Sequence, residues 1–239
     1  HRIKEMDGIP VVQVPVPGQR HSLNRGAWAT LLLGIYWSLI RHNRDWDLVH
    51  IHGGYSHLLG GVLAARTLRK GSLLKISMIG GDDLEGIESR RLSWLWQKIF
   101  RSASLFVAMN NTISKSLIKG GIKEERIVPI PNGVDTNVFQ PIGSEDSQRI
   151  LRQKLGLPDG VLITFTGCIE RRKGIHKAVA AFSRIASQNS NVHLLLIGPS
   201  GTEQEYTAFV QEEISRSGMS ARIIMPGSVS NLPEYLAAS

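Results

Sequence analysis

The chain has 239 residues, 42% of them hydrophobic and 20% charged, an ordinary balance for a globular protein that buries one large or two modest cores. A single cysteine, Cys168, excludes an internal disulfide and favours a reducing compartment. The net charge of +8 is uneven: residues 1–140 hold 18 Lys/Arg against 11 Asp/Glu, and residues 141–239 hold 10 against 9. A basic amino-terminal half favours an anionic partner such as phosphate, nucleic acid or a membrane surface, unless the charge serves solubility alone.

The chain opens on His1 with no signal-peptide pattern, so a cytoplasmic protein is expected. GAWATLLLGIYWSLI, residues 26–40, is uncharged but shorter than the roughly 20 residues that span a bilayer. It reads as a buried or half-buried helix. Its tryptophans also suit a helix lying in a membrane interface.

Apolar runs then alternate with helical stretches. VVQVPV (11–16), DLVHIH (47–52), SLLKISMI (72–79), SLFVAM (104–109) and RIVPI (126–130) read as strands. Helices are expected from LLGGVLAART, from RRLSWLWQKIFRSA beginning at residue 90, and from ISKSLIKG. PIPNGVDTNVFQP, residues 129–141, interrupts the pattern with three prolines and an Asn132-Gly133 pair expected to form a tight turn. Beyond it SQRILRQKLGL, VLITFTG, IHKAVAAFSRIASQ, NVHLLLIG, EQEYTAFVQEEISRSG, ARIIMPG and LPEYLAAS alternate helix and strand again.

Strands alternating with helices of this length argue for parallel βαβ units, and runs such as HLLLIG fit strands covered on both faces. The fold expected is α/β with two Rossmann-like, doubly wound domains, residues 1–140 and 141–239. Both read as incomplete, the first lacking an opening strand–glycine–helix unit.

The most informative stretch is FTGCIERRKGIHKAV, residues 165–179. A strand ends at Gly167, a short loop carries Arg171, Arg172 and Lys173, and a helix starts near Gly174. Free N–H groups and a partial positive charge at the helix start, a lysine beside them, and glycines that admit close backbone approach make an anion site suited to a diphosphate. It stands at the carboxyl end of a parallel strand, where open α/β sheets bind ligands. Neither the P-loop nor the dinucleotide glycine pattern occurs. LLLIGPSG places Gly198 and Gly201 around the next strand end. MPGSVSNLPEYL ends a strand at Gly227, offers Val229 to a base pocket, and offers Asn231 as a helix cap.

In the first half, His50 and His52 share one face of a strand. A metal pair lacks a third ligand in the sequence, and an acceptor-facing His52 fits better. Gly80-Gly81-Asp82-Asp83 ends another strand in a loop able to offer carboxylates to sugar hydroxyls.

Together, RIVPIPNGVDTNVFQP, the glycine–lysine loop, HLLLIGPSG and PGSVSNLPEYLAAS resemble the family-4 (group 1) retaining glycosyltransferases of GT-B fold. DLVHIHGGYSHLLGGVLAAR and the Gly-Gly-Asp loop are similar to their amino-terminal domain. The likeness covers nearly the whole chain. It implies a hexosyltransferase of polysaccharide or cell-envelope biosynthesis, moving a sugar from a UDP-, GDP- or ADP-linked donor to a glycan or lipid-linked acceptor, with no cofactor and no required metal.

The resemblance assigns donor binding to the carboxyl-terminal domain, through Gly167, Cys168, Arg172, Lys173, Gly174, Gly198, Gly227 and Val229. Lys173 matches the catalytic lysine that neutralises the leaving diphosphate. Acceptor-side residues are His52, Gly53, Gly80, Gly81 and Asp82, and Asn132, Gly133 and Asp135 form the hinge of a cleft that closes on the reaction.

Two positions depart from the family pattern: Cys168 stands where Arg follows the first glycine, and Ile79 where His or Arg precedes the Gly-x-Asp loop. The family's pair of glutamates eight positions apart is expected beyond residue 239. Glu205 and Glu213 share that spacing but read as a solvated helix face. The 239 residues alone are therefore expected to turn over little. Peripheral contact with the inner membrane face is expected through residues 20–44. The rival readings are a non-catalytic nucleotide-sugar-binding or scaffold protein on the same fold, a sugar-nucleotide epimerase, and a nucleic-acid binder, for which the basic-plus-aromatic stripe is lacking.

Overall fold

A computed structural model describes residues 2–14, 25–53, 56–88, 92–201 and 203–239. The end of the strand expected over 11–16, the first part of the 20–44 stretch, and the Arg90-Arg91 start of the helix expected from residue 90 lie outside those residues. The chain divides into two compact units, residues 1–133 and 134–239.

The first unit opens on an antiparallel hairpin of β1 (Arg2–Met6) and β2 (Ile9–Gln13), with Met6 opposite Ile9. Asp7 and Gly8 form the turn with φ of 52° and 77°. Two positive-φ residues make the primed two-residue turn that matches strand twist. The apolar run expected to begin a parallel sheet thus pairs locally with residues 2–6.

After α1 (Arg25–Arg41) come β3 (Leu48–His52), α2 (Ser56–Thr67), β4 (Gly71–Ile76), the short α3 (Leu84–Glu88), α4 (Ser93–Arg101), β5 (Leu105–Ala108), α5 (Asn111–Lys119) and β6 (Ile127–Pro129). The strands form a parallel sheet in the order β3-β4-β5-β6. Sequential order with right-handed crossovers puts α2, α4 and α5 on one face. That face buries Ile51, Leu74, Ile76 and Phe106 against Leu58, Val62, Phe100 and Leu117. The opposite face is more open: Leu48 is 51% and Leu105 39% exposed, and His50 and His52 are exposed beside them. Asn110 caps α5, its side chain accepting from the Ile113 N–H. Helices α1 and α2 meet closely at Gly60, where a Cβ would lie 2.6 Å from the Leu32 carbonyl oxygen.

The second unit contains α6 (Glu145–Leu155), β7 (Val161–Thr166), α7 (Ile175–Ala186), β8 (Val192–Ile197), α8 (Gln204–Arg216), β9 (Ile223–Gly227) and α9 (Leu232–Ala237). Its parallel sheet runs β7-β8-β9. On α7 the buried residues Ile175, Val179, Phe182 and Ala186 recur at helical spacing, as Tyr206, Val210 and Ile214 do on α8. These two stripes pack with Val192, Leu194 and Leu196 on one face. Leu162, Leu195 and Ile197 point the other way, towards Leu151 and Leu155 of α6 and Leu232 and Tyr235 of α9. Strand β8 is therefore buried on both sides, which is why its sequence is apolar almost without a break.

The tight turn expected at Asn132-Gly133 is displaced. Residues 130–135 run without a turn, and the turn falls at 136–138. Pro129 and Pro131 hold their predecessors extended. Asn132 accepts a 2.7 Å hydrogen bond from the Lys75 ammonium, and Asp135 closes the later turn by accepting from the Asn137 N–H at 2.9 Å.

Candidate functional site

The carboxyl ends of β7, β8 and β9 are tied together by backbone. Gly167 N–H donates to the Ile197 carbonyl at 2.8 Å, and Gly198 N–H to that of Gly227 at 2.9 Å. Ile169 N–H donates to Pro199 at 3.0 Å and Gly201 N–H to Ile169 at 3.2 Å. Gly167 and Gly198 have φ of 144° and 146°, and a Cβ on Gly198 would meet the Gly167 oxygen at 2.1 Å. Both positions require glycine. Gly227 also has positive φ, 78°, but faces open space.

After Gly167 the chain passes Cys168, a half-buried free thiol, into a 3-10 turn over Arg171–Lys173. Gly174, at φ 69°, turns the backbone into α7. The three cations of the turn have different surroundings. Arg171 lies over the Tyr206 ring at 5.0 Å and near Phe209 at 5.9 Å. Arg172 pairs with Glu170 at 3.2 Å. Among the described residues the Lys173 ammonium has no such partner, and its Cε lies 4.0 Å from where a Cβ would stand on Gly167.

The helix start is less open than the sequence suggests. Lys177 and Ala178 N–H groups donate to the Gly174 carbonyl at 2.9 and 3.2 Å. The His176 N–H donates to the Tyr206 hydroxyl at 3.4 Å, and that hydroxyl also lies 2.8 Å from His176 Nδ1. Tyr206, fully buried, thus closes part of the helix end that sequence reasoning left free. The cationic side chain and the helix dipole remain as anion-attracting features.

Val229 is half-buried against the α6–α9 cluster. Asn231 does not cap α9 through its side chain: its amide donates to Glu234 at 2.9 Å instead. That bond, and then Lys154, hold the Glu234 carboxyl below its usual range. Glu205 is exposed on α8, and Glu213 of the same helix pairs with Arg216.

In the first unit, His52 ends β3 with its ring 4.3 Å from that of His50, and its carbonyl lies 2.7 Å from His57 Nε2. Slight desolvation of the largely exposed ring first, then the nearby charges of His52 and Lys75, lowers the His50 pKa. A cleft of ≈ 650 Å³ between β2, α1 and β3 is lined by Val12, Ile35, Trp46, His50, His52 and His57. His57 and Trp46 gave no sequence signal of their own, because only the packing of α2 and of the α1–β3 connection brings them there. Gly53 follows with φ 78° and donates to the Lys75 carbonyl at 2.9 Å.

In the glycine loop, Gly80 is exposed with φ 71° and Gly81 half-buried. Asp83 accepts from the N–H groups of Gly80 and Gly86 and from Ser116 Oγ, so it holds the loop on α3 and α5. Asp82 is 3% exposed and accepts from Ser77 Oγ through Oδ2, while its buried Oδ1 finds no hydrogen-bond partner among the described residues. This carboxylate is largely enclosed, unlike the open one expected from sequence. Among the described residues no group of three or more His, Cys, Asp or Glu is placed to hold a metal ion.

The family model described as Glycosyltransferase Family 4 matches residues 2–138, and that described as Glycosyl transferases group 1 matches residues 147–239. A D-inositol 3-phosphate glycosyltransferase of Catenulispora acidiphila is 26% identical over 212 residues, 83% of this chain and 49% of that protein. A mannosylfructose-phosphate synthase of Agrobacterium fabrum is 28% identical over 148 residues, 59% of this chain and 32% of that protein. Among solved structures, Anabaena HepE with UDP and glucose superposes with a TM-score of 0.71 at 21% identity, covering 85% of this chain and 53% of HepE. A UDP-forming α,α-trehalose-phosphate synthase of Burkholderia xenovorans gives 0.68 at 14%, covering 90% and 56%. These two agree in fold. The chain spans about half the length of such relatives, or less.

Proposed function

The chain belongs to Glycosyltransferase Family 4, whose model matches residues 2–138, with the group 1 model matching residues 147–239, and from that premise we propose that it serves the transfer of a hexosyl group from a nucleotide-sugar donor, with retained anomeric configuration, to a glycan or lipid-linked acceptor. The donor diphosphate lies on the β7–α7 loop of the second unit. Gly167 leaves it room, Lys173 balances its growing charge as the glycosidic bond breaks, and the backbones at Gly198 and Gly227 border it. Cys168, Gly174 and Val229 stand around the same strand ends, and Arg172 is held back by Glu170. A uridine diphosphate donor is favoured by the ligands named for HepE. On the acceptor side, His52, Gly53 and the loop Gly80–Asp82 stand at the carboxyl ends of β3 and β4. Asn132, held by Lys75, and Gly133 and Asp135 belong to the connecting segment. The reading includes contact of the basic first unit with an anionic membrane surface at the cytoplasmic face.

The observation that carries the donor assignment is the position of Lys173, over the Gly167 strand end and without an anionic partner among the described residues, while its two neighbours are engaged. A hydrogen bond to a charged group contributes about 1.5–3 kcal/mol. Replacing Lys173 with Ala in the intact protein should therefore weaken UDP binding, measured by calorimetry, roughly 10- to 100-fold. Unchanged affinity would remove this loop as the donor site.

A further inference from the structure

Seven of the 18 Lys and Arg of residues 1–133 lie on α-helices. Helices α1, α2, α4 and α5 contain Lys and Arg but no Asp or Glu, whereas the short α3 carries Glu85 and Glu88. Arg41, Arg66, Lys98, Arg101, Lys115 and Lys119 are all exposed, and among the described residues none forms an ion pair. Arg101 donates its Nε–H to the Gly120 carbonyl, which leaves its charge at the surface.

Large apolar side chains stand between these cations. Trp37 is 62% and Trp94 65% exposed, with Leu33 at 52%, Leu95 at 37% and Ile118 at 44%. On α1, Leu33, Trp37 and Arg41 follow one another at i, i+4 and i+8. On α4, Trp94, Lys98 and Arg101 do so at i, i+4 and i+7. The α1 stripe runs leucine, indole, cation and the α4 stripe indole, cation, cation, each on one helix side, so a basic-and-aromatic pattern not read from the sequence is present on these helices. Helix α1 packs on α2, and α2, α4 and α5 share one face of the sheet, so the stripes belong to one layer.

We infer that this helical layer docks on an anionic lipid surface, with Trp37 and Trp94 seated at the headgroup level and the unpaired Lys and Arg side chains over lipid phosphates. Indoles favour that level, being apolar in body and polar at one edge. Unpaired Lys/Arg near an anionic leaflet are attracted to it. The aliphatic Leu33, Leu95 and Ile118 suit acyl chains and offer nothing to a nucleic-acid backbone. The inference rests on the membrane contact of the proposed reading and extends it from α1 to α4 and α5. It does not depend on the donor loop.

The test is flotation of the intact protein with phosphatidylcholine vesicles containing or lacking phosphatidylglycerol, at low and high salt. Binding is expected on the anionic vesicles at low salt only. Lys98→Gln with Arg101→Gln should lower partitioning about five-fold per charge, and Trp37→Ser with Trp94→Ser about ten-fold or more. Circular dichroism and thermal melting of each variant verify folding. Lys173→Ala should float as the parent does while losing UDP affinity, which separates failure of the lipid surface from failure of the donor site. No flotation at low salt, equal flotation on neutral vesicles, or undiminished flotation of folded variants overturns the inference. So does binding of duplex DNA, or a dimer in sedimentation that the tryptophan variants dissociate, when vesicle binding is absent.

Discussion

Gly198 stands against the carbonyl oxygen of Gly167 with no room for a side chain: a Cβ there would be 2.1 Å from that oxygen. Two neighbouring strands of the second unit end in glycines whose backbones touch, and the same pair borders the loop that carries Lys173. Overpacking typically costs about 1–3 kcal/mol, and positive φ adds about 1–2 kcal/mol for an L-residue. Gly198→Ala should destabilise the second unit by about 2–5 kcal/mol in urea unfolding. Gly227→Ala, which meets nothing within 4 Å, should cost only the φ penalty. Equal losses in the two variants would contradict the close approach.

Cys168 follows Gly167 directly and is the sole thiol of the chain. A diphosphate on the loop would cover it. UDP at a concentration just saturating for the parent should slow alkylation of the intact protein by N-ethylmaleimide several-fold, read by mass spectrometry, and at that concentration Lys173→Ala should lose most of the protection. Cys168→Arg should strengthen UDP binding up to about ten-fold by adding a cation beside the anion. Alkylation at the same rate with and without UDP would argue against the loop.

Tyr206 joins α8 to the start of α7 through its hydroxyl, 2.8 Å from His176 Nδ1, and its ring supports Arg171. Phenylalanine keeps the ring and the packing but removes the hydroxyl. Tyr206→Phe should cost about 1–2 kcal/mol of stability, with fraying of the first turn of α7 visible in hydrogen exchange. A variant as stable as the parent would show that the hydroxyl contributes nothing net.

The lowered pKa of His50 has a definite sign in stability. The unfolded chain takes up this proton at the ordinary histidine pKa, about 6.5, and the folded chain only at lower pH. The contribution is fully present above the ordinary value and is lost as pH falls through the folded one. Stability of the first unit should therefore decline on acidification from neutrality, and His50→Gln should flatten that slope. The effect should be small, because the ring is exposed. A steeper slope in the variant would reverse the assignment.

Most elements are legible in the sequence because their signals are local. The apolar spacing of α7 and the near-continuous apolar run of β8 announce a helix with one buried side and a strand with two. The hairpin is also written locally, in Asp7-Gly8, a turn signal that reading 11–16 as the first strand leaves unused. Asn132-Gly133 shows the reverse error: a strong turn dipeptide runs without a turn because flanking prolines and the Lys75 ammonium act on it.

The sequence by itself determined two parallel α/β units, the glycines at the strand ends and a basic loop between β7 and α7, because backbone permissiveness, periodicity and charge are properties of neighbouring residues. Only the tertiary structure decided which of Arg171, Arg172 and Lys173 lacks a partner among the described residues, that Tyr206 occupies part of the α7 start, that Asp82 is enclosed, and that exposed cations and indoles stand together on the helices of the first unit. Those outcomes depend on partners distant in the chain, whose approach is fixed by how helices cross over a sheet and by what each side chain finds there.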